Sequence, residues 1–258
     1  MMLPWFKIRL LMCCLLLTTP ATAQQNFHYR IIEQSTHDAS LFTQGFEISG
    51  GNLFESSGLY GKSKVRKYTL AGNTTIAETK LPDKYFTEGL TLFQDEVFVL
   101  TWRENTLLVL DSKTLATKRE LHYEGEGWGL ANNGAHLIMS NGSDAIYFRN
   151  PTNFDIEREI KIHSGKTSVR QINELEYAEG FLWANVWQSP VILKINPNNG
   201  KIIGFYNLED LLKNNSSGRD EKVLNGIAYD PERKAYWVTG KLWPTRYLIE
   251  FGQALQLP

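Results

Sequence analysis

Cysteine and histidine are both scarce in this sequence. Its 258 residues include two cysteines and five histidines, and no His-Glu-x-x-His segment occurs. Cys13 and Cys14 both lie in an N-terminal segment that we expect to be removed, which would leave a chain without disulfides or thiolate ligands. A catalytic zinc ion needs about three protein ligands. The sequence therefore gives no support to a zinc enzyme, and we assign no metal ligand.

An excess of charge of one sign is also missing. The sequence has 27 lysine and arginine residues against 28 aspartate and glutamate residues, and its formal net charge at pH 7 is -1. Proteins that bind nucleic acids or anionic membranes concentrate positive charge. We therefore expect neither nucleic acid nor a membrane as a partner.

Two common enzyme signatures are absent as well. No Gly-x-Ser-x-Gly nucleophile elbow occurs, and the glycine-rich run Gly125–Gly129 departs from the dinucleotide-binding pattern at its last position. Glycines that permit close approach of two backbones explain this run better. The sequence thus disfavours a serine hydrolase of the α/β type and a dinucleotide-dependent enzyme.

The N-terminal segment Met1–Ala23 has the composition of a secretory signal peptide. Two basic residues precede the apolar run 10–17, and Ala21-Thr-Ala23 provides a small-residue cleavage site. The apolar run is shorter than a typical membrane span. We expect cleavage, export to a periplasm or the cell exterior, and a single domain over residues 24–258. An uncleaved membrane anchor is the alternative.

A repeated motif organises the rest of the chain. Phe86-Thr-Glu-Gly-Leu90 has a counterpart in Phe42-Thr-Gln-Gly-Phe46, and looser versions occur at Gly127–Leu130, Asn173–Tyr177 and Asn225–Tyr229. The apolar residues on which they align are 40 to 52 residues apart. This period is typical of the four-stranded blades of a β-propeller. Five repeats predict an all-β protein, a five-bladed β-propeller.

The last blade is expected to be closed by a strand from the other end of the chain. Each motif is followed by short β-rich runs separated by turn residues, but the fifth repeat ends one strand early. The segment 28–33 supplies a candidate for the missing strand, and its pairing would leave no open sheet edge. One helix is predicted, at 208–213, inside the insertion that lengthens the spacing before the fifth motif.

Propeller geometry brings residues that are distant in the chain together. The first strand of each blade lines the central channel, and loops at one end form a mouth where ligands bind. Trp102, Trp187 and Lys241 come at the ends of second strands and are expected at the same mouth. The motifs direct a further set of polar and aromatic residues to this axis, namely Gln44, Glu88, Trp128, Asn173 and Asn225.

The complete set of motifs resembles that of glutamine cyclotransferases of the plant and bacterial type. The similarity covers almost all of residues 24–258 and includes the final segment Thr239-Gly-Lys-Leu-Trp-Pro244. It implies a five-bladed propeller, unrelated in fold to the zinc-dependent animal enzymes. It also implies an exported enzyme that converts the N-terminal glutamine of peptides or proteins into pyroglutamate and releases ammonia. No cofactor is required for this reaction.

The resemblance also assigns site residues. The catalytic acid/base glutamate of the family corresponds to Glu88. The implied substrate-site residues are Phe42, Gln44, Trp102, Trp128, Asn173, Trp187 and Lys241.

The chemistry agrees with one carboxyl group that acts twice. Glu88 would take a proton from the α-amine, which attacks its own side-chain amide, and would return it to the departing ammonia. Indole-rich surroundings are expected to raise its pKa from about 4.3. Lys241 is the catalytic candidate for stabilising the oxyanion, with the amides of Gln44 and Asn173 as alternatives. The site tryptophans would enclose the glutaminyl side chain and bind an ammonium terminus.

Two other functions stay open at this point. A non-catalytic propeller would bind peptide N-termini with the same aromatic residues. A metal-dependent hydrolase of the lactonase type would need several acidic or amide ligands on the axis, where the motifs offer chiefly Glu88. A structural calcium ion held in the channel by backbone carbonyls would leave no signature in the sequence. We expect a monomer, in which Trp183, Trp237 and Trp243 serve as core residues.

Overall fold

Five four-stranded antiparallel sheets follow one another along the chain. The computed structural model describes residues 29–216 and 218–252, so the predicted signal peptide at 1–23 lies outside the described residues. The arrangement confirms the all-β, five-bladed propeller predicted from the repeats. Within the described ranges, no helix combines the length and the apolar character needed to cross a bilayer.

The blades are numbered from the first motif. Blade one contains β2 to β5, at Thr43–Ser49, Asn52–Ser57, Lys64–Thr69 and Thr75–Lys80. Blade two contains β6 to β9, at Thr87–Phe93, Glu96–Thr101, Thr106–Asp111 and Thr117–His122. Blade three contains β10 to β13, at Leu130–Asn132, Leu137–Ser140, Ala145–Arg149 and Ile156–Lys161. Blade four contains β16 to β19, at Ile172–Ala178, Phe181–Val186, Val191–Ile195 and Ile202–Asn207. Blade five joins β1, at Tyr29–Thr36, to β20, β21 and β22, at Leu224–Asp230, Ala235–Gly240 and Thr245–Phe251.

The inner strands of the five blades form a ring around the axis. β2 contacts β6 and β20, and β10 and β16 complete the ring. A Cβ atom on Gly45 would lie 2.3 Å from the amide nitrogen of Leu90, and one on Gly89 would lie 2.4 Å from that of Leu130. Both distances are too short for any side chain. The glycine of the Phe-Thr-x-Gly motif is therefore required by the close approach of neighbouring inner strands.

The two ends of the chain close the ring. β1 pairs antiparallel with β22, from Tyr29 opposite Phe251 to Thr36 opposite Thr245, with a bulge between Ile31 and Glu33. The predicted closure by the N-terminal strand is confirmed. Its pairing satisfies backbone groups that would otherwise form an open edge of blade five.

Two local details near blades three and four were not part of the prediction. β10 begins only after Gly127–Gly129, because the amide of Gly127 donates to the carbonyl of Trp102 in blade two at 3.0 Å. A short hairpin, β14 at His163–Ser164 and β15 at Thr167–Ser168, was not predicted. Strands of two residues carry no periodic signal in a sequence.

The predicted helix is present but longer. α1 spans Glu209–Ser216. Asn215 near its end donates to the carbonyl of Leu211 at 2.8 Å and to the hydroxyl of Tyr247 at 2.9 Å. These bonds tie the last turn of the helix to β22, which explains why the helix continues beyond residue 213.

Apolar side chains pack between neighbouring blades. Between blades four and five, Trp183 stacks on Phe251 with ring centroids 4.9 Å apart. Trp183, Trp237 and Trp243 are 1%, 1% and 0% exposed, as predicted for core residues. Burial of a large apolar side chain stabilises a fold by roughly 1.5–3 kcal/mol, so these interfaces hold the blades together.

A buried ion pair connects the closing sheet to blade one. His37, directly after β1, places Nε2 3.0 Å from Glu55 Oε1. Thr43 and Tyr68 donate to the same carboxylate at 2.6 and 2.7 Å. Burial lowers the pKa of His37, but the charge of Glu55 outweighs it, and the pKa is raised overall. Burial also raises the pKa of Glu55. The charge of His37 and the hydrogen bonds to the carboxylate outweigh this effect, so the pKa of Glu55 is lowered overall.

Replacing His37 with alanine is expected to reduce the free energy of unfolding by about 3–5 kcal/mol, because Glu55 would stay buried without its counter-charge. Urea unfolding followed by tryptophan fluorescence measures this loss. Arg30→Ala is the matched control, since it breaks an ion pair with Glu250 whose side chains are 72% and 51% exposed. That loss should stay below about 1 kcal/mol. Equal losses in the two variants would contradict a structural role for the buried pair.

Three carboxyl groups bind inner-strand amides along the channel. Glu47 on β2 accepts from the amide of Leu92 at 3.1 Å, and Glu174 on β16 accepts from that of Ile227 at 2.9 Å. Glu176 is bound in the same way by the backbone of Tyr229. Glu47 and Glu176 are half-buried. Burial raises the pKa of Glu174 and Glu176 well above their usual range and that of Glu47 to about 7.

Stability is therefore expected to fall between about pH 4.5 and pH 7. In this window the folded chain holds a proton on Glu47 that the unfolded chain releases, so each rise in pH favours unfolding. Glu47→Gln should remove the share of this slope that Glu47 contributes, while Glu174 and Glu176 keep theirs, and the gap between the two proteins should reach the order of 2 kcal/mol at pH 8. Urea midpoints at pH 5, 6, 7 and 8 test this, with Glu232→Gln in an exposed turn as control. A cation bound by these carboxylates would reverse the slope.

Candidate active site

A cavity of about 220 Å³ opens at the mouth of the channel. All eight site residues predicted from the sequence line it, together with one that was not predicted, Phe86. The cavity is smaller than the roughly 300–1,000 Å³ of pockets that hold drug-sized ligands. It therefore suits a ligand of about one amino-acid residue. The predicted residues are Phe42, Gln44, Glu88, Trp102, Trp128, Asn173, Trp187 and Lys241.

Each side chain reaches the cavity from an equivalent place in its blade. Gln44, Glu88 and Asn173 lie near the start of the inner strands β2, β6 and β16. The remaining residues lie just outside the ends of strands. Trp102, Trp187 and Lys241 each follow the last residue of a second strand, β7, β17 and β21. The repeat thus supplies the amides and the carboxylate from within the ring, and the aromatic walls and the ammonium group from the loops above it.

Glu88 is the only carboxyl group that lines the cavity among the described residues, and it is 6% exposed. Gln44 Nε2 donates to Glu88 Oε1 at 3.1 Å. Asn225, which the motifs direct to the same axis, does not line the cavity; its amide nitrogen bonds to the carbonyl of Thr43 at 2.9 Å and lies 3.4 Å from Gln44 Oε1. Asn225 therefore orients Gln44, which in turn holds the carboxyl group.

Burial raises the pKa of Glu88 well above its usual range, and the charge of Lys241 only partly opposes this. The negative charges of Glu126 and Glu104 raise it further. A proton on this carboxyl group is thus retained at higher pH than in water, which brings the group nearer to the range in which it can both accept and donate a proton.

Lys241 provides the positive charge of the cavity. It is 5% exposed, and its Nζ lies 4.7 Å from the centre of the Phe42 ring. No carboxylate of the described chain lies within ion-pair distance of it. Burial lowers its pKa to about 8, and Glu88 opposes the change. Lys241 is consequently still mostly an ammonium group at pH 7, with donors free for a ligand.

Glu126 fixes two of the indole walls. Its Oε2 accepts from Trp102 Nε1 at 2.9 Å and from Trp128 Nε1 at 3.0 Å, while Oε1 accepts from Arg103 Nε at 2.9 Å. The Arg103 guanidinium lies 3.7 Å from the centre of the Trp102 ring. Burial raises the pKa of Glu126, but these donors outweigh it, and the pKa is lowered. A permanently charged carboxylate therefore joins an indole of blade two to one of blade three.

Further aromatic contacts surround the opening. Phe86 contacts Phe42 and Trp102, with ring centroids 6.1 and 5.6 Å apart. Trp128 meets Trp187 edge to face at 5.7 Å. Phe86 was missed as a site residue although it begins the second motif, just as Phe42 begins the first. The equivalence of the two motifs was the signal that pointed to it.

The described residues contain no group of three or more histidine, cysteine, aspartate or glutamate side chains placed to hold a metal ion. A structural calcium ion held by backbone carbonyls stays a prediction.

Comparison with known proteins identifies the family. The family model described as glutamine cyclotransferase matches residues 7–251. The chain belongs to the glutamine cyclotransferase family. The match begins inside the segment 1–23 and ends with β22.

A curated relative and a solved structure agree with membership of the glutamine cyclotransferase family. The chain is 41% identical over 232 residues to a glutaminyl-peptide cyclotransferase of Arabidopsis thaliana, covering 87% of this chain and 71% of the relative. The crystal structure of Myxococcus xanthus glutaminyl cyclase matches with a TM-score of 0.82 at 30% identity, covering 88% of this chain and 97% of that one.

One more distant structure is similar to this chain in fold only. The WD40 β-propeller domain of Doa1 matches with a TM-score of 0.50 at 8% identity, covering 80% of this chain and 62% of that one.

Proposed function

We propose that this protein is a glutaminyl-peptide cyclotransferase, which converts the N-terminal glutamine of peptides or proteins into pyroglutamate and releases ammonia, with Glu88 as general base and general acid. The family match and the relatives support this activity. The observation that carries the role of Glu88 is a buried carboxyl group of raised pKa in a residue-sized aromatic cavity.

Binding would place a single glutaminyl residue in the cavity. Three indoles and two phenyl rings enclose its methylene groups, and their faces attract the positive α-ammonium group. Because the reaction is intramolecular, the cavity needs only to hold the side chain folded back toward the amine. Orientation of this kind supplies a large share of the rate in such cyclisations.

Glu88 would act twice, first by taking up a proton and then by delivering it. As a carboxylate it removes a proton from the α-ammonium group, and the freed amine attacks the side-chain amide carbon to form the ring C–N bond. The ring nitrogen of the tetrahedral intermediate then loses its excess proton to solvent water at the mouth of the channel. The carboxyl group delivers a proton to the amide nitrogen, the bond from this nitrogen to carbon breaks, and ammonia leaves. One carboxyl group of raised pKa fits both directions of transfer.

The tetrahedral intermediate carries an oxyanion that a donor must stabilise. Lys241 is the proposed donor, since it is positively charged at pH 7, lines the cavity and lacks a competing ion pair among the described residues. The side-chain amides of Gln44 and Asn173 line the same cavity and are the alternative donors. A donor held ready in a water-poor site stabilises developing charge more than water does.

The two alternatives have less support. A binder of peptide N-termini would not require a carboxyl group of raised pKa at the base of its pocket. A lactonase-type hydrolase would require grouped metal ligands, and the described chain offers no such group.

We propose in addition that the protein is exported and that it is a monomer. Export is supported by the signal-like composition of residues 1–23, and the absence of cysteine from residues 24–258 is compatible with it, since folding there does not depend on disulfide formation.

Glu88→Gln is expected to lower kcat by about 10²–10⁴, because the amide can neither accept nor return the proton. Ammonia release from a Gln-initiated dipeptide, with and without a chelator, measures this. Glu47→Gln makes the same change elsewhere in the channel and should retain activity. Full activity of Glu88→Gln would contradict the proposed role. If the unaltered protein releases no ammonia, the non-catalytic binder of peptide N-termini is favoured. Lactone cleavage that a chelator abolishes would favour the metal-dependent hydrolase.

Glu126→Ala is expected to raise KM about tenfold with a much smaller change in kcat. The reason is that two indole walls lose their common acceptor, and hydrogen bonds to charged groups are worth about 1.5–3 kcal/mol each. Glu126→Gln keeps an acceptor oxygen and should recover part of the loss. Glu124→Ala, an exposed neighbour in the same loop, is the control. A loss confined to kcat, or one shared by the control, would contradict a role in positioning the indoles.

A further inference from the structure

A second cavity adjoins the active site. It has a volume of about 340 Å³ and shares Phe42, Trp187 and Lys241 with the first. Its outer side is formed by Asp220 and Glu221, which come from the insertion between blades four and five. The two cavities are thus neighbouring parts of one depression, with Lys241 at their junction.

The insertion is held in place beside this second cavity. The indole of Trp243 donates to the carbonyl of Lys222 at 3.1 Å. The amide of Lys241 donates to the carbonyl of Val223 at 2.9 Å. Because the backbone on the C-terminal side of Glu221 is fixed to the loop that carries Lys241, the two acidic residues have a defined position relative to the active site.

The charges of this cavity lack partners within the described chain. Asp220 and Glu221 are exposed and form no ion pair there. Lys241 lines both cavities, is 5% exposed and has no side-chain hydrogen bond to described residues. The nitrogen itself is not fully buried, so its N–H donors are accessible from the cavities that Lys241 lines. The Lys241 ammonium group is therefore available to an acceptor supplied by a ligand at the junction.

A peptide substrate supplies such an acceptor there. When the first residue fills the cavity of about 220 Å³, the rest of the chain must leave it, and its first peptide carbonyl comes at the boundary of that cavity. Two cations, Arg219 and Lys222, line an adjoining cavity that shares Asp220 with the second, but they do not line the second cavity itself. Apart from Lys241 at the junction, the charged residues that line the second cavity are therefore both negative.

We propose that this second cavity binds the residue that follows the N-terminal glutamine of the substrate, and that Asp220 and Glu221 select a basic side chain at that position. The inference rests on the proposed cyclotransferase activity and specifies its substrates. One N–H of Lys241 donates to the first peptide carbonyl at the junction and another stays available for the oxyanion, while the two carboxylates attract a lysine or arginine side chain from solvent.

Comparison of kcat/KM for Gln-Lys-Ala, Gln-Ala-Ala and Gln-Glu-Ala amides tests this subsite. At low salt the lysine peptide should exceed the glutamate peptide by about three- to tenfold, the range expected for two solvent-screened ion pairs. The preference should shrink in 0.5 M salt. The double variant Asp220→Asn/Glu221→Gln should bring the ratio close to one.

The control variant, Asp95→Asn/Glu232→Gln, removes the same net charge from exposed turns between first and second strands, at the end of the propeller opposite the mouth. It should keep the preference for lysine. Equal values for the lysine and glutamate peptides, or a preference that survives in the Asp220/Glu221 variant, would overturn the subsite while leaving the activity in place. Absence of ammonia release from all three peptides would overturn the proposed function itself.

Discussion

The close packing of five inner strands around one axis is the constraint on which the site depends. Neighbouring strands approach so closely that a side chain at Gly45 or Gly89 would overlap the backbone of the next blade. This approach brings Glu88 of blade two within hydrogen-bond distance of Gln44 of blade one. A wider ring would separate these groups and admit water between them, and the carboxyl group would then return toward its ordinary pKa.

The same packing concentrates ionisable groups where water is scarce, at some cost in stability. Burial shifts Glu88 toward its neutral form and weakens the proton affinity of Lys241, so the pKa of the carboxyl group rises and that of the ammonium group falls. Glu47, elsewhere in the channel, shows the same effect without lining the cavity. A raised pKa alone therefore does not mark a catalytic residue. The aromatic cavity and the adjacent ammonium group distinguish Glu88.

Much of this arrangement follows from the sequence because the repeat fixes equivalent positions. Phe42, Gln44 and Glu88 occur within two matching motifs, and Trp102 follows a recognisable second strand. Because equivalent positions of the blades surround one propeller axis, these residues could be placed at the same site. Glu126 was not predictable in this way. Its loop lies outside the repeat, and its role depends on two indoles from different blades that converge on one oxygen. Distances of this kind are set by tertiary packing.

The charge of Glu126 has a further consequence for the cavity. A neutral acceptor would orient the two indoles, yet Glu126 adds a negative charge that raises the pKa of Glu88. Arg103 pairs with its other oxygen near the surface and limits this influence. The loop therefore couples the shape of the aromatic wall to the proton affinity of the carboxyl group below it. Because both effects arise from one side chain, the geometry proposed to enclose a glutaminyl residue would also favour the protonated form of Glu88 that the proposed departure of ammonia requires.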